Sequence, residues 1–146
     1  MNKQQIQLFS SKQTDNWRTP IGIYNKLDSE FNFDFDPCPY MSEFDGLACD
    51  WGLRNYVNPP YSKIIGFLKK AHHELYYKKA EVCVFLLFTN TDTRWFHNYL
   101  YNIAELRFIK GRLKFQNDDT ETNNNSAMRP SMVCVLRKEN ALPVIY

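Results

Sequence analysis

The 146-residue chain contains no apolar run approaching the roughly 18 residues that a membrane-spanning helix needs, so no membrane partner is expected. Residues 1–16 are polar and lack the apolar stretch of a secretory leader, which predicts a soluble, cytoplasmic protein. No CxxC pair occurs among the cysteines at 38, 49, 83 and 134. The histidines at 72, 73 and 97 do not alternate with them at ligand spacing, so no metal site is expected. His73-Glu74 fails the HExxH pattern because Tyr77 stands where the second histidine belongs. Glycine is scarce, at five residues, and no internal repeat is visible. What is abundant is apolar and aromatic side chain, at 44% and 16%, which excludes disorder and supplies a core for one domain. We read residues 1–15 as a flexible N-terminal arm and 16–146 as a single domain.

Net charge is only +2, but it is unevenly spread. From Asp28 to Asp50 there are seven acidic residues and no basic one; from Trp51 to Lys114 there are eleven basic residues against four acidic. That asymmetry fits a molecule with one cationic and one polyanionic partner, and equally fits ordinary surface patterning.

Alternation of apolar patterns places the elements. Thr19 and Pro20 open a short helix with Ile23, Tyr24, Leu27 and Phe31 on one face. Phe31 to Asp36 alternates with period two and predicts a strand ended by Pro37. Residues 38–54 read as loop, and Asn55 to Val57 as a short strand that Pro59 and Pro60 terminate. Ser62 caps a helix reaching about Lys79. Glu81 to Thr89 is a continuous apolar run of strand length, as expected of a strand buried on both faces. Thr93 to Asn102 predicts a second long helix, and 105–109, 112–115 and 131–137 three more strands. The polar stretch 116–129 reads as a mobile loop. Strand, helix, buried strand, helix, strand is the grammar of an α/β domain with a largely parallel sheet, whose ligands sit beyond the carboxyl ends of the strands.

Asn58-Pro59-Pro60-Tyr61 falls at such an end and is the most informative tetrapeptide. Neither proline has an N–H to donate, and Pro60 holds Pro59 extended. The Pro59 carbonyl and the Asn58 amide oxygen then offer two acceptors side by side, which suit the two hydrogens of a planar amino group. Drawing on both hydrogens localises the nitrogen lone pair and makes a nucleophile without a strong base. Tyr61 offers a flat face for a planar substrate.

Asn-Pro-Pro-Tyr after a strand resembles the catalytic motif of methyltransferases that act on adenine N6, cytosine N4 or glutamine N5. The wider set is similar to the phage-type DNA N6-adenine methyltransferases. It runs in order through Trp17-Arg18-Thr19-Pro20, Phe35 to Pro39, Phe44 to Leu47, Asp50-Trp51, Val57 to Ser62, Thr91 to Phe96, Ile109 to Phe115 and Asn125-Ser126-Ala127. The resemblance covers about residues 15–138. It implies a compact, Rossmann-like fold with a mostly parallel sheet and a C-terminal antiparallel strand, S-adenosylmethionine as cofactor, and DNA as partner, either duplex with a flipped adenine or single-stranded. Catalytic roles fall on Asn58, Pro59, Pro60 and Tyr61. Trp17, Thr19 and Pro20 match the N-terminal cofactor motif, and Asp36, Pro37 and Cys38 the cofactor loop. Asp45 matches the ribose contact, and Asp50 with Trp51 the acidic-aromatic pair that binds the cofactor's adenine. Phe115 matches a second aromatic holding the target base opposite Tyr61. A bacterial or phage-infected cell is the expected setting.

Lys110, Arg112 and Lys114, interleaved with apolar residues, follow the pattern of a nucleic-acid contact, although charged edge strands look the same. One departure is the loop after Asp36, which has no glycine before Gly46 where the fold commonly brings backbone close to the cofactor. RNA adenine, a protein glutamine amide, or DNA binding without catalysis are the rival readings. No target-recognition region is visible, so sequence preference should be relaxed, and a homo-oligomer would enlarge the contact surface.

Overall fold

The computed structural model of the protein describes residues 18–115 and 127–146, with the side chains of all of these except residues 115, 127 and 128. The N-terminal arm, Trp17 and residues 116–126 therefore lie outside the described residues. In chain order the elements are α1 (Ile21–Phe31), β1 (Arg54–Val57), α2 (Ile64–Tyr77), β2 (Val82–Phe88), α3 (Arg94–Tyr99), β3 (Glu105–Phe115) and β4 (Ala127–Arg137). None of these helices is long and apolar enough to cross a membrane.

The strands form one four-stranded sheet in the order β1-β2-β4-β3. β2 dictates the layering. Cys83, Phe85 and Leu87 join the core cluster under α2 and α3, while Val82, Val84 and Leu86 join a second cluster under α1. A strand buried on both faces needs a helix layer on each side, because every second side chain points to the opposite face. α1 covers one face with Leu27, Ile23, Tyr24 and Phe31; α2 covers the other with Ile64, Phe67, Leu68, Ala71 and Leu75. Each such buried aliphatic or aromatic side chain contributes about 1.5–3 kcal/mol. Mixed α/β architecture is thus observed, but the expectation of a mostly parallel, Rossmann-like sheet is corrected. Among the described strands only β1 and β2 pair in parallel, apart from an isolated bridge; β4 runs antiparallel to both β2 and β3. Apolar content does not encode direction, and an antiparallel strand covered by helices on both faces reads like a parallel one.

Three further expectations change. Phe31 closes α1, with Asn32 left-handed at φ 52° as its C-cap, and the expected strand over 31–36 shrinks to a single parallel bridge between Phe35 and Asn55. The cause is Asp34: its carboxylate accepts the backbone N–H groups of Arg54 (2.9 Å) and Leu53 (3.2 Å), a role that a strand carbonyl would fill. Neither Thr19 nor Ser62 caps a helix. α1 begins after Pro20, and α2 after a 3₁₀ turn over Tyr61–Lys63. Thr93 does cap α3, its hydroxyl accepting from the Phe96 N–H at 3.3 Å, but that helix ends at Tyr99.

Residues 105–115 form one strand, not two. A bulge between Phe108 and Arg112, with Gly111 at φ 80°, lets the strand bend and continue. Residues 127–129, expected in a loop, belong to β4. Since β2 ends opposite Ser131, the stretches 112–115 and 127–130 form a two-stranded ribbon that runs on past the carboxyl end of β2.

The irregular segment between Asp36 and β1 is held by one close approach. A Cβ placed on Gly46 would lie 1.7 Å from the Pro37 carbonyl oxygen and 2.6 Å from its carbon. The contact is with backbone, so no side chain can swing aside. Gly46→Ala should lower stability by about 3 kcal/mol or more in urea unfolding, whereas Gly22→Ala, with nothing within 4 Å, should raise it by about 0.5 kcal/mol. A Gly46→Ala protein as stable as the parent would mean that the segment does not depend on this contact.

Candidate active site

Three segments run the same way and stop at one end of the sheet: the Phe35 bridge, β1 and β2. Asp36, Asn58 and Phe88 follow or close them, so the carboxylate, the amide and an aromatic ring emerge side by side. The ribbon of β3 and β4 extends beyond this same end.

Asn58 is fixed on two sides. Its Nδ2 donates to the Thr19 hydroxyl at 3.0 Å, and that hydroxyl lies 2.6 Å from the Tyr56 phenol oxygen. The Asn58 backbone N–H faces the Cys38 sulfur, which it draws against burial; burial still dominates and pushes the Cys38 thiol well up. Pro59 is buried and Pro60 half-buried. The Pro60 carbonyl accepts the Lys63 N–H at 2.9 Å, closing the turn that leads into α2.

Tyr61 is clamped by three groups. Its ring stacks on Phe88 with centroids 5.0 Å apart and planes at 29°, and meets Trp95 edge-on at 6.5 Å. Its hydroxyl accepts from Asn90 Nδ2 at 2.6 Å. Burial pushes the phenol up to about 12, against the opposing pull of Asn90 and Arg129, so it stays protonated at neutral pH. One face of the ring is therefore taken by Phe88.

Asp36 is the unusual acid. Burial raises its pKa to about 6, and the one hydrogen bond that opposes the shift, from the Cys38 N–H at 2.9 Å, is too small to cancel it. The other carboxylates of the acidic segment are engaged differently. Asp28 accepts the Phe33 N–H, Asp34 those of Leu53 and Arg54, and Asp45 that of Leu47 at 2.9 Å.

The structure brings Thr19, Asp36, Cys38 and Asn58 together, with Pro20 and Pro37 beside them; Asp45 stands one residue before Gly46, whose backbone abuts Pro37, whereas Asp50 and Trp51 lie apart, and Trp17 is outside the described residues. The chain from Asp45 descends along α2: Leu47 sits over Gly66, Cys49 lies near Lys70 and Glu74, and Asp50 reaches Lys78, 3.8 Å away, beyond the far end of that helix. Asp45 and Asp50 are exposed. Trp51 is 1% exposed, its Nε1 donating to the Gly46 carbonyl at 2.8 Å and its ring lying on Phe67. It has no open face for a base.

On the ribbon side, Lys110, Arg112 and Lys114 are all exposed, and Leu113 between the last two turns to the α1-side core. Arg107 is committed elsewhere, bidentate to Glu30 at 2.6 and 2.7 Å and paired with Glu105. Arg129, which the sequence did not single out, lies 5.3 Å over the Phe88 ring, next to Tyr61. Asn90 was missed as well. Only its place just after the carboxyl end of β2 could have pointed to it.

An amide and an acid thus stand at the carboxyl ends of parallel strands, beside a clamped aromatic and near a basic ribbon. Residues 8–144 match the model of the DNA N-6-adenine-methyltransferase (Dam) family. The chain belongs to that family and is an adenine-specific DNA methyltransferase. No curated protein and no solved structure matches it.

The raised pKa of Asp36 carries a sign. A carboxyl whose folded pKa exceeds its unfolded value of 3.8 gives its full stability below that value and loses it as pH rises through about 6. Asp36→Asn keeps an acceptor for the Cys38 N–H and removes the charge. The variant should be more stable than the parent at pH 7.5, by up to about 3 kcal/mol, and the gap should close as pH falls from 6 toward 4. Urea titrations at both ends of that range would measure it; a gap independent of pH would show that burial does not act on this carboxyl.

Proposed function

We propose that residues 16–146 act as one methyltransferase domain that transfers a methyl group from S-adenosylmethionine to adenine N6 in DNA, with Asn58 and the Pro59 carbonyl holding the amine. The observation that carries this reading is the convergence of Asp36, Asn58 and the Tyr61–Phe88 pair at one end of the sheet.

The site fits such a cofactor. A half-buried carboxylate with one hydrogen bond and, among the described residues, no counter-charge raising its ionisation suits a ligand with an ammonium and a sulfonium. Asp36 and the backbone at Pro37 and Cys38 would hold that cationic end, with Thr19-Pro20 alongside. Asp45, one residue before Gly46, would serve the ribose hydroxyls, and Trp51 would act from inside the core by holding Gly46 in place. When bound, S-adenosylmethionine supplies a methyl group on a sulfonium, an electrophile that an amine can take directly.

The protein's own residues do the rest. The adenine, turned out of the duplex or taken from a single strand, packs near Tyr61, with Phe115 as the second aromatic. The Asn58 Oδ1 and Pro59 carbonyl accept the two N6 hydrogens, which draws the nitrogen lone pair out of the ring system. Pro60 keeps the Pro59 carbonyl in place by holding the backbone extended. The extra proton on the methylated nitrogen is acidic and leaves to water, so no strong base is needed. Alignment of amine and methyl supplies most of the acceleration. Lys110, Arg112 and Lys114 contact phosphates from the ribbon.

Incubation with tritiated-methyl S-adenosylmethionine and unmethylated DNA, followed by digestion to nucleosides, should give label in N6-methyladenine. Asn58→Ala should reduce it by about 100-fold or more. Label only in RNA or in a protein amide would overturn the DNA assignment, and an active Asn58→Ala would overturn the acceptor role.

The ribbon makes a second prediction. Replacing Lys110, Arg112 and Lys114 by glutamine should flatten the dependence of duplex binding on salt, lowering the slope of log K against log salt by about 2–3. Binding titrations from 50 to 200 mM salt would read it, and an unchanged slope would remove the ribbon from the DNA contact.

A further inference from the structure

An amide can serve as acceptor only if its oxygen, not its nitrogen, faces the substrate, and the two ends of an asparagine side chain are nearly the same shape. Something must choose. The choice at Asn58 is made by a residue 39 positions earlier, whose hydroxyl accepts from Asn58 Nδ2 at 3.0 Å. That hydroxyl, on Thr19, lies 2.6 Å from the phenol oxygen of Tyr56. Tyr56 is itself immobile: it is 2% exposed, packed edge-on against Tyr24 with centroids 5.0 Å apart, and backed by Phe33 at 5.3 Å.

We propose that Thr19 is a positioning residue of the reaction: with its own proton given to the Tyr56 oxygen, it presents Asn58 with lone pairs alone, and so turns the amide carbonyl toward the adenine amine. This rests on the reading of Asn58 as the acceptor. A flipped amide would set its oxygen against the Thr19 oxygen with no proton between them. The same hydroxyl therefore does not cap α1, although Thr19 sits one residue before Pro20. Tyr56 belongs to the device, because without the phenol oxygen the Thr19 proton could turn to Asn58 and support the wrong orientation.

Steady-state kinetics with DNA and S-adenosylmethionine separate this from a structural or cofactor role. Thr19→Val should lower kcat by about tenfold or more, with the KM for DNA within about twofold of the parent. Thr19→Ser, which keeps the hydroxyl, should retain kcat within about threefold, and Tyr56→Phe should fall between the two. If Thr19→Val does not fold, the contrast between Thr19→Ser and Tyr56→Phe carries the test. Thr19→Val with parental kcat would overturn the proposal, as would a loss confined to the KM for the cofactor. Asn58→Ala run alongside distinguishes the two failures: if it still methylates, the acceptor reading falls, and if it is inactive while Thr19→Val is unimpaired, only the positioning role falls.

Discussion

Burial of β2 on both faces is the constraint from which the site follows. A strand that gives Cys83, Phe85 and Leu87 to one core and Val82, Val84 and Leu86 to the other cannot sit at a solvent-facing layer. β1, its parallel neighbour, must reach it by a crossover, because parallel strands cannot be joined by a tight turn. That crossover is α2, and the turn into it is Asn58 to Lys63. The Asn58–Tyr61 tetrapeptide thus occupies a place where the chain must leave the sheet at its carboxyl end. Two prolines suit that place twice over: they end the strand by removing N–H donors, and they leave its last carbonyls without a continuing ladder.

The acidic segment shows how composition overstates function. Seven carboxylates between Asp28 and Asp50 read as a surface for a cationic ligand. The structure uses several of them as backbone substitutes: Asp28, Asp34 and Asp45 each accept main-chain N–H groups in a stretch with little ladder of its own. Asp36 alone is buried enough for its pKa to climb toward neutrality. The basic half divides in the same way. Arg107 is tied to Glu30 and Glu105, and Lys70 pairs with Glu74 at 2.9 Å. What remains exposed on the ribbon is a small part of the charge that the sequence displays.

Legibility tracked the physical origin of each feature. The apolar run of β2, the one-sided pattern of α1 and the Asn-Pro-Pro-Tyr turn are local signals, and each was readable. Strand direction was not readable from the pattern, because the run Ser131 to Arg137 satisfies a parallel and an antiparallel neighbour equally well; its antiparallel course was expected from the resemblance alone. The strand expected at 31–36 was lost to a competition the pattern does not show, in which the Asp34 side chain takes hydrogen bonds that the backbone would otherwise make. The burial of Trp51 was hidden for a related reason. Within an irregular segment there is no periodicity to say whether a ring points inward, and here the Gly46 carbonyl draws its N–H into the core. Buried polar anchors such as His72, whose Nδ1 accepts the Leu142 N–H while Nε2 meets the Tyr99 carbonyl, connect residues far apart in sequence and left no local trace.

The glycine-free loop has a physical resolution. Where backbone must come close to backbone, the sequence places the glycine not in the turn after Asp36 but at position 46, on the strand of chain that returns against Pro37. Trp51 then closes the arrangement by bonding to that glycine's carbonyl, and Cys38 joins it to the Asn58 turn through the Asn58 N–H. Meanwhile Tyr61 is set from the opposite side, by Phe88 and Asn90 at the end of β2. Amide and aromatic ring are thus positioned by different elements, one through the α1 side and the irregular segment, the other through β2. A substrate that needs both contacts at once must bridge the ends of two adjacent strands, and a flat purine with an exocyclic amine has the shape to do so.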